Sequence, residues 1–169
     1  MTPRVFGAVV ALTVVAADQA AKLAALAGLE GAPEPTPAGP FLDLVLRWNR
    51  GISFSLFTQD TSAGRAVLLA VTLAAIALLG WWLAGSRSYL SAGGLGAIIG
   101  GALGNALDRL THGAVVDYLD LHLFDRHFFV FNLADAAINA GVALLIVDMA
   151  FGPRAARRSA ATPPGVERM

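Results

Sequence analysis

The stretch Ala92–Leu110, AGGLGAIIGGALGNALDRL, decides the fold. No charge interrupts it before Asp108, and as a helix it is about 28 Å long, close to the thickness of a bilayer's hydrocarbon core. Gly96, Gly100 and Gly104 recur at four-residue spacing, which lets helix backbones approach closely in lipid, so they are read as packing positions. An apolar segment of this length that ends in Asn105, Asp108 and Arg109 reads as a transmembrane helix with a polar outer end.

Three further runs have the same character: about Val5–Leu26, Ala63–Leu83 and Phe131–Phe151. Helix is expected for each, because lipid offers no partner to free backbone groups. The chain has 169 residues, 56% of them hydrophobic and 14% charged, too apolar for an ordinary soluble domain. Twelve basic residues balance twelve acidic ones, so net charge names no partner, and the absence of cysteine excludes disulfides, a thiol nucleophile and thiolate metal sites. Arg4 followed by Val5–Val15 and Ala16-Ala17 also fits a cleaved leader, against which the apolar character resumes after Lys22 and removal would leave three spans. In a four-span arrangement Arg4, Arg87, Arg154, Arg157, Arg158 and Arg168 share one side, while Arg47, Arg50 and Arg126 share the other. The first side is expected to be cytoplasmic, with both termini inside and residues 152–169 forming a cytoplasmic tail.

Two segments, Ala27–Ser62 and Thr111–Val130, then lie outside. The first opens with the Pro-rich Pro33–Pro40. It continues with alternation of Leu42, Leu44, Leu46 and Trp48 against Asp43, Val45 and Arg47, the pattern of a half-buried strand, and Asn49-Arg50-Gly51 reads as a turn. The second alternates from Asp117 to Leu123 in the same way. The fold expected is an all-α membrane protein: a four-helix transmembrane bundle carrying a small β-element outside. Phe41–Phe57 is expected to cover the site.

Ionisable groups inside apolar runs are costly and mark either internal pairing or function. At 1.5 Å per residue, Asp18 and Asp108 fall about 20 Å and 24 Å from the inner face, and Asp135 about 6 Å from the outer face. Asp117 follows the third span by seven residues and can fold back to the same level. Four acids thus converge on one layer, whereas Asp148 falls near the inner face beside Arg154. Asp18 and Lys22 are one turn apart and able to pair. Asp108 with Arg109 reads either as a buried helix-fixing pair or as part of a site. Asn132, Asp135 and Asn139 are spaced to share a helix face.

Two close carboxylates do not both ionise easily, so one retains a proton. The ionised one can activate water and the protonated one can donate to a carbonyl oxygen, which is aspartic-protease chemistry without metal or cofactor. Ser53 lacks a Ser-His-Asp setting. His112, His122 and His127 lack HExxH spacing, so no zinc site is expected. A channel or transporter would also gather acids, but along a midplane pore.

Five segments then stand out in order: Asp18-Gln19-Ala20-Ala21-Lys22, Asn49-Arg50-Gly51-Ile52-Ser53-Phe54, Gly104-Asn105-Ala106-Leu107-Asp108-Arg109, Val115-Val116-Asp117-Tyr118 and Phe131-Asn132-Leu133-Ala134-Asp135. With them the chain resembles the bacterial lipoprotein signal peptidases, or signal peptidase II, over almost its whole length. The resemblance implies one integral membrane peptidase domain over residues 1–169, in the inner membrane, with its active site at the outer face. It implies removal of the signal peptide from diacylglyceryl-modified prolipoproteins, with the cut just before the lipid-modified cysteine. It makes Asp117 and Asp135 the catalytic pair. Asp18, Lys22, Asn49, Gly51, Asn105, Asp108, Arg109 and Asn132 become supporting or substrate-binding positions. It further implies no metal or cofactor, no nucleic-acid partner, contact with membrane lipid, inhibition by cyclic peptides such as globomycin, and a monomer. Ile52, Ser53 and Tyr118 depart from the residues common in that family, in pocket contour only.

Overall fold

The computed structural model describes residues 1–33, 35–51, 62–124 and 126–151. Four long helices, α1 (Pro3–Leu29), α2 (Ser62–Ala84), α3 (Tyr89–Thr111) and α4 (Leu133–Phe151), are each long and apolar enough to cross a membrane. Their unpacked faces carry large apolar side chains, among them Leu12, Leu78, Ile146 and Met149, each at least 60% exposed. Such a surface is tolerated in lipid and not in water.

Helix α3 is the centre of the bundle, and its glycines make it so. A Cβ at Gly96 or Gly100 would run into the backbone carbonyls of Gly7 and Ala11 on α1, and one at Gly104 into the carboxylate of Asp18. A second row, Gly94 and Gly101, meets Gly141 and Ala134 on α4 in the same way. Residue numbers rise together along the α1–α3 contact and oppositely along the α3–α4 contact, so α1 and α3 are parallel and α4 antiparallel to them. Ala92, Leu95 and Ile99 of α3 pack with Ala11 and Leu83 as the apolar core.

Because α1 and α3 end on the same side, the strands that follow them can pair. The sheet has the order β1 (Thr36–Pro37), β2 (Leu42–Asn49), β3 (Val115–Leu123), β4 (Arg126–Phe131), all antiparallel. The alternation read from Leu42 to Trp48 and from Asp117 to Leu123 corresponds to β2 and β3. Strand β1 was hidden in the proline stretch, where Pro37 is accommodated at the sheet's edge. Strand β4 corrects the expected start of the fourth span: Phe131 ends a strand and α4 begins at Leu133. The run HFFVF does not alternate, and a short apolar run fits strand or helix equally. The Asn49–Gly51 turn is present: Gly51 has φ +94° and donates its N–H to Asn49 Oδ1 at 2.8 Å. The segment expected to cover the site is a paired strand through Asn49, and its continuation Ile52–Phe57 lies outside the described residues.

At the opposite end of the bundle Asp148 accepts a hydrogen bond from Ser88 Oγ at 2.6 Å, beside the N-terminus of α3, where a negative charge is favoured. Its expected neighbour Arg154 lies outside the described residues.

Candidate active site

The four acids Asp18, Asp108, Asp117 and Asp135 divide into two pairs held differently. Asp18 and Asp108 share one cation. Lys22 Nζ lies 2.9 Å from Asp18 Oδ2 and 2.9 Å from Asp108 Oδ2, and all three residues are at most 2% exposed. Their remaining oxygens are also satisfied. Ala134 N–H donates to Asp18 Oδ1 at 2.9 Å and the Gln19 amide to Asp108 Oδ1 at 3.0 Å, while Val116 N–H, at 3.0 Å, shares Asp108 Oδ2 with Lys22. This triad therefore ties α1 to α3, to β3 and to the start of α4. The Asp18–Lys22 pairing follows from its one-turn spacing. The Asp108–Arg109 pair does not form, since adjacent helical residues do not face each other, and Asp108 takes Lys22 instead. Gln19 was missed as a site residue, although it lies inside the first motif.

Asp117 and Asp135 have no cation at ion-pair distance among the described residues and are held by asparagines. Asn49 Nδ2 donates to Asp117 Oδ2 at 2.9 Å and Asn132 Nδ2 to Asp117 Oδ1 at 2.6 Å. Asn105 Nδ2 donates to Asp135 Oδ1 at 2.9 Å, and the Asn132 backbone N–H to Asp135 Oδ2 at 3.2 Å. Asn132 thus touches both carboxylates. It caps α4, with its own Oδ1 accepting the Asp135 N–H at 3.0 Å. Asn139, expected to orient Asp135, is exposed and forms no bond to it among the described residues. Asn132 precedes the helix, so the helical spacing does not apply to it. Asn105 links the two pairs, since its Oδ1 accepts from Lys22 at 2.9 Å while its Nδ2 holds Asp135.

The structure brings together Asp18, Lys22, Asn105, Asp108, Asp117, Asn132 and Asp135 in one network, and Asn49 joins it from β2. Gly51 acts at one remove by closing the turn on the side-chain oxygen of Asn49. Arg109 lies beside the layer, donating Nη1 to the Asn105 carbonyl at 3.1 Å. Burial pushes the Asp117 carboxyl above its ordinary value; the Asn49 and Asn132 bonds oppose this and the charge of Asp135 adds to it. Asp117 is 3% exposed, on β3 within the sheet. A second acid–histidine group, Asp43 opposite Asp120 with His127 2.7 Å from Asp120, sits higher in the sheet and does not join the network.

The family model described as signal peptidase (SPase) II matches residues 10–151. The chain belongs to the signal peptidase II family. That family is one of aspartic peptidases, and the chain is a multi-pass membrane protein of the bacterial kind. It is 50% identical over 158 residues to the lipoprotein signal peptidase of Methylocella silvestris, covering 92% of each chain. It is 48% identical over 149 residues to that of Beijerinckia indica, covering 88% of this chain and 89% of the relative. A solved bacterial membrane enzyme shares the fold, with a TM-score of 0.72 at 23% identity, over 95% of this chain and 94% of the other. The signal peptidase II match runs from within α1 to the end of α4 and includes every residue of the carboxylate network.

Proposed function

We propose that this protein is the aspartic endopeptidase that removes signal peptides from diacylglyceryl-modified prolipoproteins, cutting before the lipid-modified cysteine. Asp117 and Asp135 are the catalytic pair. One observation carries the assignment: of the four acids, these two alone have no cation at ion-pair distance among the described residues. Asp18 and Asp108 are both tied to the buried Lys22. Among the described residues, Asp117 and Asp135 have only neutral donors, the arrangement that a proton-sharing carboxylate pair requires.

In the mechanism, the ionised carboxyl takes a proton from water, which attacks the scissile carbonyl, while the protonated partner donates to the carbonyl oxygen. The tetrahedral intermediate collapses with proton return to the leaving amine. Asn132 and Asn105 hold the two carboxyls in place, which is positioning by neutral groups that leaves their charge free to change. A site at the outer end of the bundle meets a cysteine anchored in the outer leaflet without drawing its acyl chains out of lipid. This orientation puts both termini in the cytoplasm and is supported by the distribution of arginines. The test is cleavage of a lipidated prolipoprotein peptide by the purified protein, with and without globomycin. Absence of cleavage by folded protein, or cleavage away from the modified cysteine, overturns the proposal.

A further inference from the structure

Between α2 and α3, at the level of the α3–β3 turn, lies a cavity of about 210 Å³ lined by Arg65, Ala66, Leu69 and Arg109. Among the described residues its lining holds two guanidinium groups and no carboxylate. Arg65 lies one turn into α2 and is exposed, and Arg109 is two residues from the end of α3. Gly113, with φ +74°, lets Arg65 lie over the turn, since a Cβ there would stand 2.8 Å from Arg65 Nη1. Arg109 uses Nη1 on the Asn105 carbonyl, and its buried Nε has no hydrogen-bond partner among the described residues.

Asp135, Asp108 and Asp117 act on Arg109 only from beyond ion-pair distance. Asp108 is bound to Lys22, and Asp117 and Asp135 to asparagines, and among the described residues none forms an ion pair with either arginine. Two like charges that line one cavity, one with an orphaned buried N–H, call for a shared anion. The planar fork of arginine suits a tetrahedral oxyanion that accepts several N–H bonds at once. Below Arg65, the α2 surface is apolar: Leu69 lines the cavity and Leu73, one turn further, is 47% exposed. An anion with a long apolar tail fits this line, with its head at the end of the span and its tail running into the bilayer.

We infer that Arg65 and Arg109 form a binding site for the phosphate of an anionic phospholipid whose acyl chain lies along Leu69 and Leu73. Such a lipid joins α2, the helix least engaged with the bundle, to α3 at the edge of the carboxylate network. The inference does not rest on the proposed reaction, whose substrate carries its diacylglyceryl group without a phosphate.

The experiment is native mass spectrometry of the full chain released from mixed micelles of phosphatidylglycerol and phosphatidylcholine. Wild-type protein should retain phosphatidylglycerol over phosphatidylcholine by about fivefold, the scale of one interfacial charge. Arg65→Gln should abolish the preference, and Arg65→Lys, which keeps the charge and loses the fork, should retain part of it. Arg4→Gln, at the other membrane face, should leave it intact, and millimolar inorganic phosphate should not displace the lipid. Thermal melts in phosphatidylcholine alone should coincide for all variants, so that a loss of lipid is not a loss of fold. If phosphatidylcholine is retained equally, if Arg65→Gln keeps the full preference, if Arg4→Gln abolishes it, or if inorganic phosphate empties the site, the phospholipid assignment is wrong.

Discussion

Asn132 and Asp135 cap one another at the start of α4: each accepts, through a side-chain oxygen, the backbone N–H of the other. The same asparagine donates its amide to Asp117, so one residue begins a helix and sets both candidate catalytic carboxyls. Asn132→Ala should therefore cost about 1 kcal/mol of stability for the lost cap. It should reduce turnover by about 10²-fold, in line with the loss of one preorganised donor. Thermal unfolding and single-turnover cleavage, measured together, separate the two effects. Unchanged turnover would remove Asn132 from the site.

If Asp117 and Asp135 work as one unit, each Asn variant should lose the acid–base contribution of about 10²–10⁴-fold, and the double variant should lose little more. Both singles should stay folded, since size is kept and a buried charge is removed. Multiplicative losses in the double variant would mean that the two act independently.

Asp117 also predicts a pH dependence of stability. Burial raises its folded pKa above the ordinary 3.8, so the folded state favours the protonated form. This contribution to stability is full below that value and is lost as pH rises through the raised folded one. Asp117→Asn does not titrate there and should melt at a higher temperature than wild type near pH 7, with the difference closing toward pH 4. A gain that grows on acidification would contradict the sign.

Lys22→Met should be the most damaging single change in the layer. It leaves Asp18 and Asp108 buried without a cation, at a cost of about 3–5 kcal/mol. Adding Asp18→Asn and Asp108→Asn should restore part of that loss. Denaturation midpoints of the single and triple variants decide the matter, and a triple variant no more stable than Lys22→Met would refute the shared-cation account.

For topology, reporter fusions ending at Gly39 and at Phe124 should be active only outside the cytoplasm. Activity of a cytoplasmic reporter at either position would reverse the orientation.

Periodicity and cost exposed much of this in the sequence. Four apolar lengths gave the helices, and charges too expensive to leave idle in lipid gave Asp18, Asp108, Asp117 and Asp135. What remained hidden depends on contacts between distant segments. No spacing rule pairs Lys22 with Asp108, eighty-six positions away. The neighbouring arginine was the only partner visible along the chain, yet it points to another side of the helix. Asn105's place between the pairs likewise exists only once α3 and α4 are side by side. Strand β4 has the length and apolarity of either element and is decided by its pairing with β3.

The glycine contacts between α1 and α3 fix how far one helix stands along the other. Gly7 meets Gly96, Ala11 meets Gly100, and Asp18 meets Gly104, so neither helix can slide without a collision. The depth of the carboxylates is accordingly a property of the protein and not of the bilayer around it. When the surrounding membrane thickens or thins, the helices must tilt or sink together. The proposed catalytic layer then moves as one piece relative to the lipid surface, while the cysteine of a lipid-anchored substrate moves with that surface. Alignment between them is set by membrane thickness, which gives lipid chain length a direct hold on turnover with no change inside the protein.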